Sequence, residues 1–175
     1  MGDMKRLLAL VLMVIVVGEP LSGSSAVEQS VSSDWKSVDA KGEFSFSLPK
    51  DMEPHPIQGQ DSYVGEYRSS TTLLNFDYGW YPIDLCDAKY SGAKPQFEQA
   101  ATAIDGRRAR VMTFHDPNRK YDAEFPYVAA VCFDDLGTEL GQKVTLSMWT
   151  YCKGNAEQEI SKKIFYSIKF PRVNK

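Results

Sequence analysis

The sequence predicts an α+β domain: a twisted antiparallel β-sheet packed against few helices, closed by a C-terminal helix and a short strand. Three observations predict it. Apolar and polar residues alternate in several short stretches, the period of half-buried strands. Turn residues separate those stretches at hairpin spacing. Only one stretch, near the C-terminus, repeats its apolar residues at helical spacing instead.

The first 26 residues read as a cleavable secretory signal. Lys5 and Arg6 form its basic head, and Leu7 to Val17 is an apolar run of eleven residues. Ser24 and Ala26 supply the small positions before a cut after Ala26. Spanning a bilayer takes about 20 apolar residues, so the run is too short for an anchor. Residues 27–33 are polar and serine-rich, and are expected as a flexible arm. Cutting after Ala26 leaves 149 of the 175 residues, enough for a single domain over 34–175 with one real core.

Trp35 opens that domain. From Glu43 to Leu48, Phe44, Phe46 and Leu48 share one face and Glu43, Ser45 and Ser47 the other, which predicts a strand ended by Pro49. Residues 51–59 read as a loop. Ser62–Ser69 and Thr72–Tyr81 read as a hairpin. If paired residue numbers sum to 141, Tyr67 faces Leu74, Gly65 faces Phe76 and Tyr63 faces Tyr78. All large apolar groups then lie on one face; a one-residue slip would mix the faces. Gly65 leaves room for the Phe76 ring to lie across the backbone.

Pro82 to Lys94 reads as a loop carrying Cys86. Phe97–Ile104 and Arg107–His115 flank Asp105-Gly106, a strong hairpin signal because both turn positions need positive φ. Ala100 to Ala103 could alternatively form a helical turn. A polar stretch from Asp116 to Glu124 precedes a further hairpin, Tyr127–Phe133 with Lys143–Tyr151, around Gly137 and Gly141. Asn155 then suits an N-cap, with Gln158 placed as in a capping box. Ala156, Ile160 and Ile164 make an apolar stripe at helical spacing. Ser167–Phe170 returns as a short strand, stopped by Pro171.

Three cysteines remain after the cut: Cys86, Cys132 and Cys152. An exported chain meets an oxidising compartment, and an odd count allows at most one internal bridge. The spacings match no zinc pattern. If the strands from Thr72 to Tyr151 form an up-and-down meander, only Cys86 and Cys152 share an end of the sheet. Those two are therefore expected to pair, leaving Cys132 a buried free thiol.

The opening Trp35, the run Phe44-Ser45-Phe46-Ser47-Leu48-Pro49-Lys50, the hairpins, and the close Ile164-Phe165-Tyr166-Ser167-Ile168-Lys169-Phe170 together resemble the PsbP-like α/β/α sandwich group. That group includes an extrinsic subunit of photosystem II and many small exported bacterial proteins. The resemblance implies a sandwich fold and a mostly non-catalytic binding or assembly role, and it carries over no functional residue.

A search for chemistry returns little. The net charge is −3, which argues against nucleic acid or an anionic membrane as the main partner. Arg107, Arg108 and Arg110 read as a solvated strand beside a turn. Neither His55 nor His115 has a paired-ligand spacing, and Asp134-Asp135 point to opposite sides of a strand end. No catalytic residue, metal ligand set or cofactor is implied. A metal-assisted hydrolase using His115, Asp116 and Asp122 is the catalytic alternative. Asp77, inside an aromatic strand beside Glu66 and Asn75, could hold a cation or polar ligand, although the wet face of a sheet, tied by Arg68, is the favoured explanation. Among the rings of Tyr63, Tyr67, Tyr78, Trp80 and Tyr81, the last two have the best claim to exposure and so to a small ligand. The leading expectation is an exported, non-enzymatic domain that binds a protein or envelope component through its sheet edge or loop ends.

Overall fold

Alternation and turn chemistry decide most of the strands. The computed structural model describes residues 34–81, 83, 85–87, 93–120 and 122–172; the signal segment and arm over 1–33 lie outside them. Nine strands and one helix form among the described residues. In chain order they are β1 (Trp35–Ala40), β2 (Phe44–Pro49), β3 (Glu53–His55), β4 (Tyr63–Arg68), β5 (Thr72–Gly79), β6 (Glu98–Ile104), β7 (Arg107–His115), β8 (Tyr127–Glu139), β9 (Gln142–Cys152) and α1 (Asn155–Tyr166). β1 and β2 pair as a separate hairpin, and the rest form one antiparallel sheet in the order β3-β4-β5-β9-β8-β7-β6.

This is a mainly-β fold, which corrects the α+β expectation. Only one stretch has helical periodicity, and among the described residues only that stretch is helical. Ala100–Ala103 lies in β6, paired residue for residue with β7. Two further strands form: β1, where no element was assigned, and β3, within the stretch expected as a loop. The Asp105-Gly106 turn has φ of 49° and 75°, the left-handed pair whose twist matches the flanking strands. The β4–β5 register is the expected one: Tyr63 opposite Tyr78, Gly65 opposite Phe76, Tyr67 opposite Leu74.

One face of the large sheet carries Leu74, Phe76, Val131, Phe133, Leu146 and Met148 into the main core. Phe44, Phe46 and Leu48 of β2 and Ile164 and Phe165 of α1 close that core from above. Ring centroids of Phe44 and Tyr63 lie 5.3 and 5.2 Å from that of Phe76, both edge-on, the arrangement that aromatic quadrupoles favour.

The helix sits rotated from the expected apolar stripe. Its buried residues are Gln158, Ser161, Ile164 and Phe165, while Ile160 is 36% exposed. Polar groups can line a buried face when their bonds are made, and these are. The Gln158 amide donates to the carbonyls of Val128 (2.8 Å) and Phe114 (3.3 Å). The Thr150 hydroxyl donates to that of Ser161 at 2.8 Å. Gln158 is thus spent on the sheet, and no capping box forms; Gly154 takes the N-cap position without a side-chain bond.

The expected final strand is reduced to one bridge, Ser45 with Lys169. Beyond it the Phe170 N–H donates to Asp105 Oδ2 at 2.9 Å. That bond holds the Asp105 carboxyl below its ordinary range against the opposing pull of burial, with Lys169 adding to the effect. A carboxyl whose folded pKa is depressed stabilises above its unfolded value and loses that contribution as pH falls through the folded one. Asp105→Asn is therefore expected to be less stable than wild type near neutral pH. The gap should close in acid, as urea unfolding at the two extremes would measure.

The cysteine pairing also departs from expectation. Cys86 is bridged to Cys132, and Cys152 is the buried free thiol. The hairpins from β6 to β9 do form a meander, but the long connection 80–97 is not a hairpin and need not alternate strand direction. It carries the chain from β5, beside β9, to β6 at the far edge. β5 then runs antiparallel to β9, so Gly79 pairs with Thr145 at the start of β9. Cys132, paired with Ser147, lies toward that same end, whereas Cys152 ends the strand. Leu85 and Cys86 of the connection pack on the second sheet face against Met112, Ala130 and Trp149.

Candidate functional site

Where β4 begins and β5 ends, their facing tyrosines and the preceding loop form an open cleft of about 580 Å³. Tyr63, Tyr78 and Trp80 supply its rings; Lys41, Asp61 and Glu139 supply its charges; the loop over residues 57–62 completes the lining. Each part has a local cause. Lys41 sits in the β1–β2 turn with φ of 55°, and its Nζ lies 4.3 Å from the Tyr63 ring centre, within range of a cation–π contact. Glu139 arrives from the long β8 arm beyond a register shift between Phe133 and Gly137. The Tyr78 hydroxyl donates to Glu43 at 2.9 Å. Burial, then that bond, pushes its pKa well above the phenolic range. Burial likewise raises Tyr63, with Asp39 adding to it. Both phenols therefore remain neutral donors in ordinary buffers.

The expected ligand-binding residues are not brought together. Trp80 lines the cleft, while Tyr81 is 67% exposed and does not. Asp77 points to the opposite sheet face from Phe76, between Val64 and Ser147. It is only 7% exposed, so it does not sit on a wet face. Its Oδ1 is buried without a hydrogen-bond partner, a costly arrangement for a polar atom. Arg68 does not reach it; the guanidinium binds Glu66, which also lies 3.1 Å from His55 Nδ1.

The residues of the catalytic alternative each have another engagement. His115 stacks on Tyr127 with ring centroids 4.6 Å apart. Asp116 pairs with Lys94 at 3.0 Å and Asp122 with Arg119 at 3.5 Å. Among the described residues no group of three or more His, Cys, Asp or Glu is placed to hold a metal ion. The arginine cluster is largely tied down: Arg107 donates to the Leu136 carbonyl, and Arg110 grips Asp134 and the Cys86 carbonyl.

Lys41, Glu139 and the 57–62 loop were not singled out by the sequence. They come from segments far apart in the chain, and strand alternation carries no signal about which loop ends meet. Among the described residues no helix is long and apolar enough to cross a membrane. Compared with known proteins, the chain matches no family model and no curated protein.

Proposed function

We propose that this protein is an exported, non-enzymatic binding domain whose cleft at Tyr63, Tyr78 and Trp80 receives an extended segment of a protein or envelope component. The observation that carries the reading is the make-up of the cleft: three aromatic rings, charges of both signs and the loop residues 57–62 line it together. Rings supply contact area at low entropic cost, and a few polar groups fix orientation. The phenol of Tyr78 and the ammonium of Lys41 already have partners within the fold, which suits holding a ligand better than transferring protons. Export is supported by the signal-like first 26 residues and by a disulfide, which persists in oxidising compartments.

Affinity capture from the native extracytoplasmic fraction, using the full mature chain, should recover a partner at stoichiometric yield. Trp80→Ala is expected to weaken that capture about 30-fold, the loss of a central aromatic anchor worth about 2 kcal/mol. Its unfolding midpoint should stay close to wild type. Equal capture by the variant would remove the cleft from consideration, and no captured partner would remove the binding role.

A further inference from the structure

The two edges of the large sheet differ in kind. β3 has three residues, Glu53, Pro54 and His55. Pro54 has no N–H to offer, and both flanking side chains are engaged, Glu53 in an ion pair with Lys36 and His55 with its Nδ1 3.1 Å from the Glu66 carboxylate. A short edge with proline and charge is how sheets avoid unwanted pairing. β6 is longer, has no proline, and carries its single charge, Glu98, at its first residue. Its seven residues pair with β7 without a bulge, and Gln99 to Ile104 contains no charge and no proline. Gln99, Ala100, Ala101 and Ala103 are exposed, and among the described residues no strand pairs with its outer side.

The register tells which backbone groups point outward. A two-residue turn makes its flanking residues a hydrogen-bonded pair, here Ile104 with Arg107. Bonding alternates along an antiparallel ladder. Ile104, Thr102 and Ala100 therefore spend their N–H and C=O on β7, whereas those of Ala103, Ala101 and Gln99 face away from it. These outward residues are spaced evenly about Ala101.

We infer that β6 pairs with β6 of a second copy, antiparallel, with the two-fold axis at Ala101. Ala101 then faces Ala101, and Gln99 faces Ala103 of the partner subunit, so every outward donor meets an outward acceptor. The small side chains of Ala100, Ala101, Thr102 and Ala103 obstruct this approach on neither face. Charge favours the same occupant. One end of the strand carries the exposed Glu98, and the other lies beside the exposed Arg108. A two-fold places the acidic end of each copy near the basic end of the other. An edge matched to itself in bonding and in charge is what an isologous contact requires. The pairing does not depend on the cleft, which lies toward the β3 side of the sheet.

Sedimentation equilibrium of the oxidised mature chain, from micromolar to near-millimolar concentration, tests it. A concentration-dependent monomer–dimer equilibrium is expected. Ala101→Pro removes a donor that β7 does not use and should weaken the dimer at least 100-fold. Ala101→Lys keeps the donor but sets two ammonium groups opposite each other, and should weaken it in the same direction. Both variants should keep the wild-type circular dichroism. A wild-type chain that stays monomeric throughout overturns the pairing, as does a dimer that survives both substitutions.

Discussion

Replacing Cys86 and Cys132 by serine is expected to lower stability by about 4 kcal/mol, the chain-entropy contribution of closing a loop of this length. The bridge joins residues 46 apart in sequence. The closed segment contains the far-edge hairpin β6–β7 and most of the connection that carries the chain to it. Cutting the bridge frees that connection in the unfolded ensemble, and it also loosens Leu85 and Cys86 on the second sheet face. Folding should survive, because the Cys86 carbonyl still accepts from Gln99 and Arg110, each at 2.7 Å. For a domain of this size the midpoint should fall by roughly 10 °C. Urea unfolding with and without reductant, on wild type and the double variant, checks this. Wild type should converge on the variant only when reduced. Cys152→Ser is the control. That thiol is held against titration by burial, beside Ser161 and Thr150, so the variant should keep the full reductant dependence. A wild-type chain indifferent to reductant would show that the connection is held by its packing alone.

The same connection marks the boundary of what the sequence could tell. Within a hairpin, side-chain parity and turn chemistry are local, so the pairing of Tyr63 with Tyr78 and the turn at Asp105-Gly106 were legible. The neighbour of β5 was not. It depends on where residues 80–97 lead, and no periodicity encodes a crossing. From that one step follow the wrong cysteine partner and the wrong reading of Asp77: alternation put Asp77 opposite Phe76 in direction, hence wet, but Leu85 and Cys86 of the connection pack on that second face. The rotation of α1 failed for a different reason. Hydrophobicity names Ile160 as the buried residue, yet Gln158 and Ser161 are buried because the sheet offers partners that only the folded chain displays. β1 and β3 were unread because Lys36, Asp39 and Pro54 break the strand pattern. Beyond α1, the one residue run read as a possible helical turn, Ala100 to Ala103, forms a strand instead, and the other helices anticipated rested on the outline resemblance. As for the cleft, its rings were legible singly, but their meeting with Lys41 and Glu139 required the β1–β2 turn and the β8 arm to be placed in space.

Gly65→Ala is expected to destabilise the domain by about 3 kcal/mol, at the upper end of what overpacking a core usually costs. A Cβ built on Gly65 would lie 2.2 and 2.3 Å from two carbons of the Phe76 ring, far inside contact distance. The outcome depends on whether something can move. Phe76 cannot swing aside: it is 2% exposed, with Phe44, Phe46 and Tyr63 packed around it. β4 is the freer element, since only the short β3 lies outside it. The strain should therefore push β4 outward. Tyr63, two residues before Gly65, would move with it, and so would the cleft wall. Equilibrium unfolding should show the loss, and hydrogen exchange should show it concentrated in β3 and β4. A compensating change makes the cause testable. Phe76→Leu alone leaves a void, but in the Gly65→Ala background the smaller side chain makes room for the new methyl. The double variant should be more stable than the sum of the single losses predicts, by about 1 kcal/mol or more, the signature of residues in direct contact. Strict additivity would mean that the glycine is required by the backbone of β4, and a Gly65→Ala loss below about 0.5 kcal/mol would mean that the ring does not lie across it.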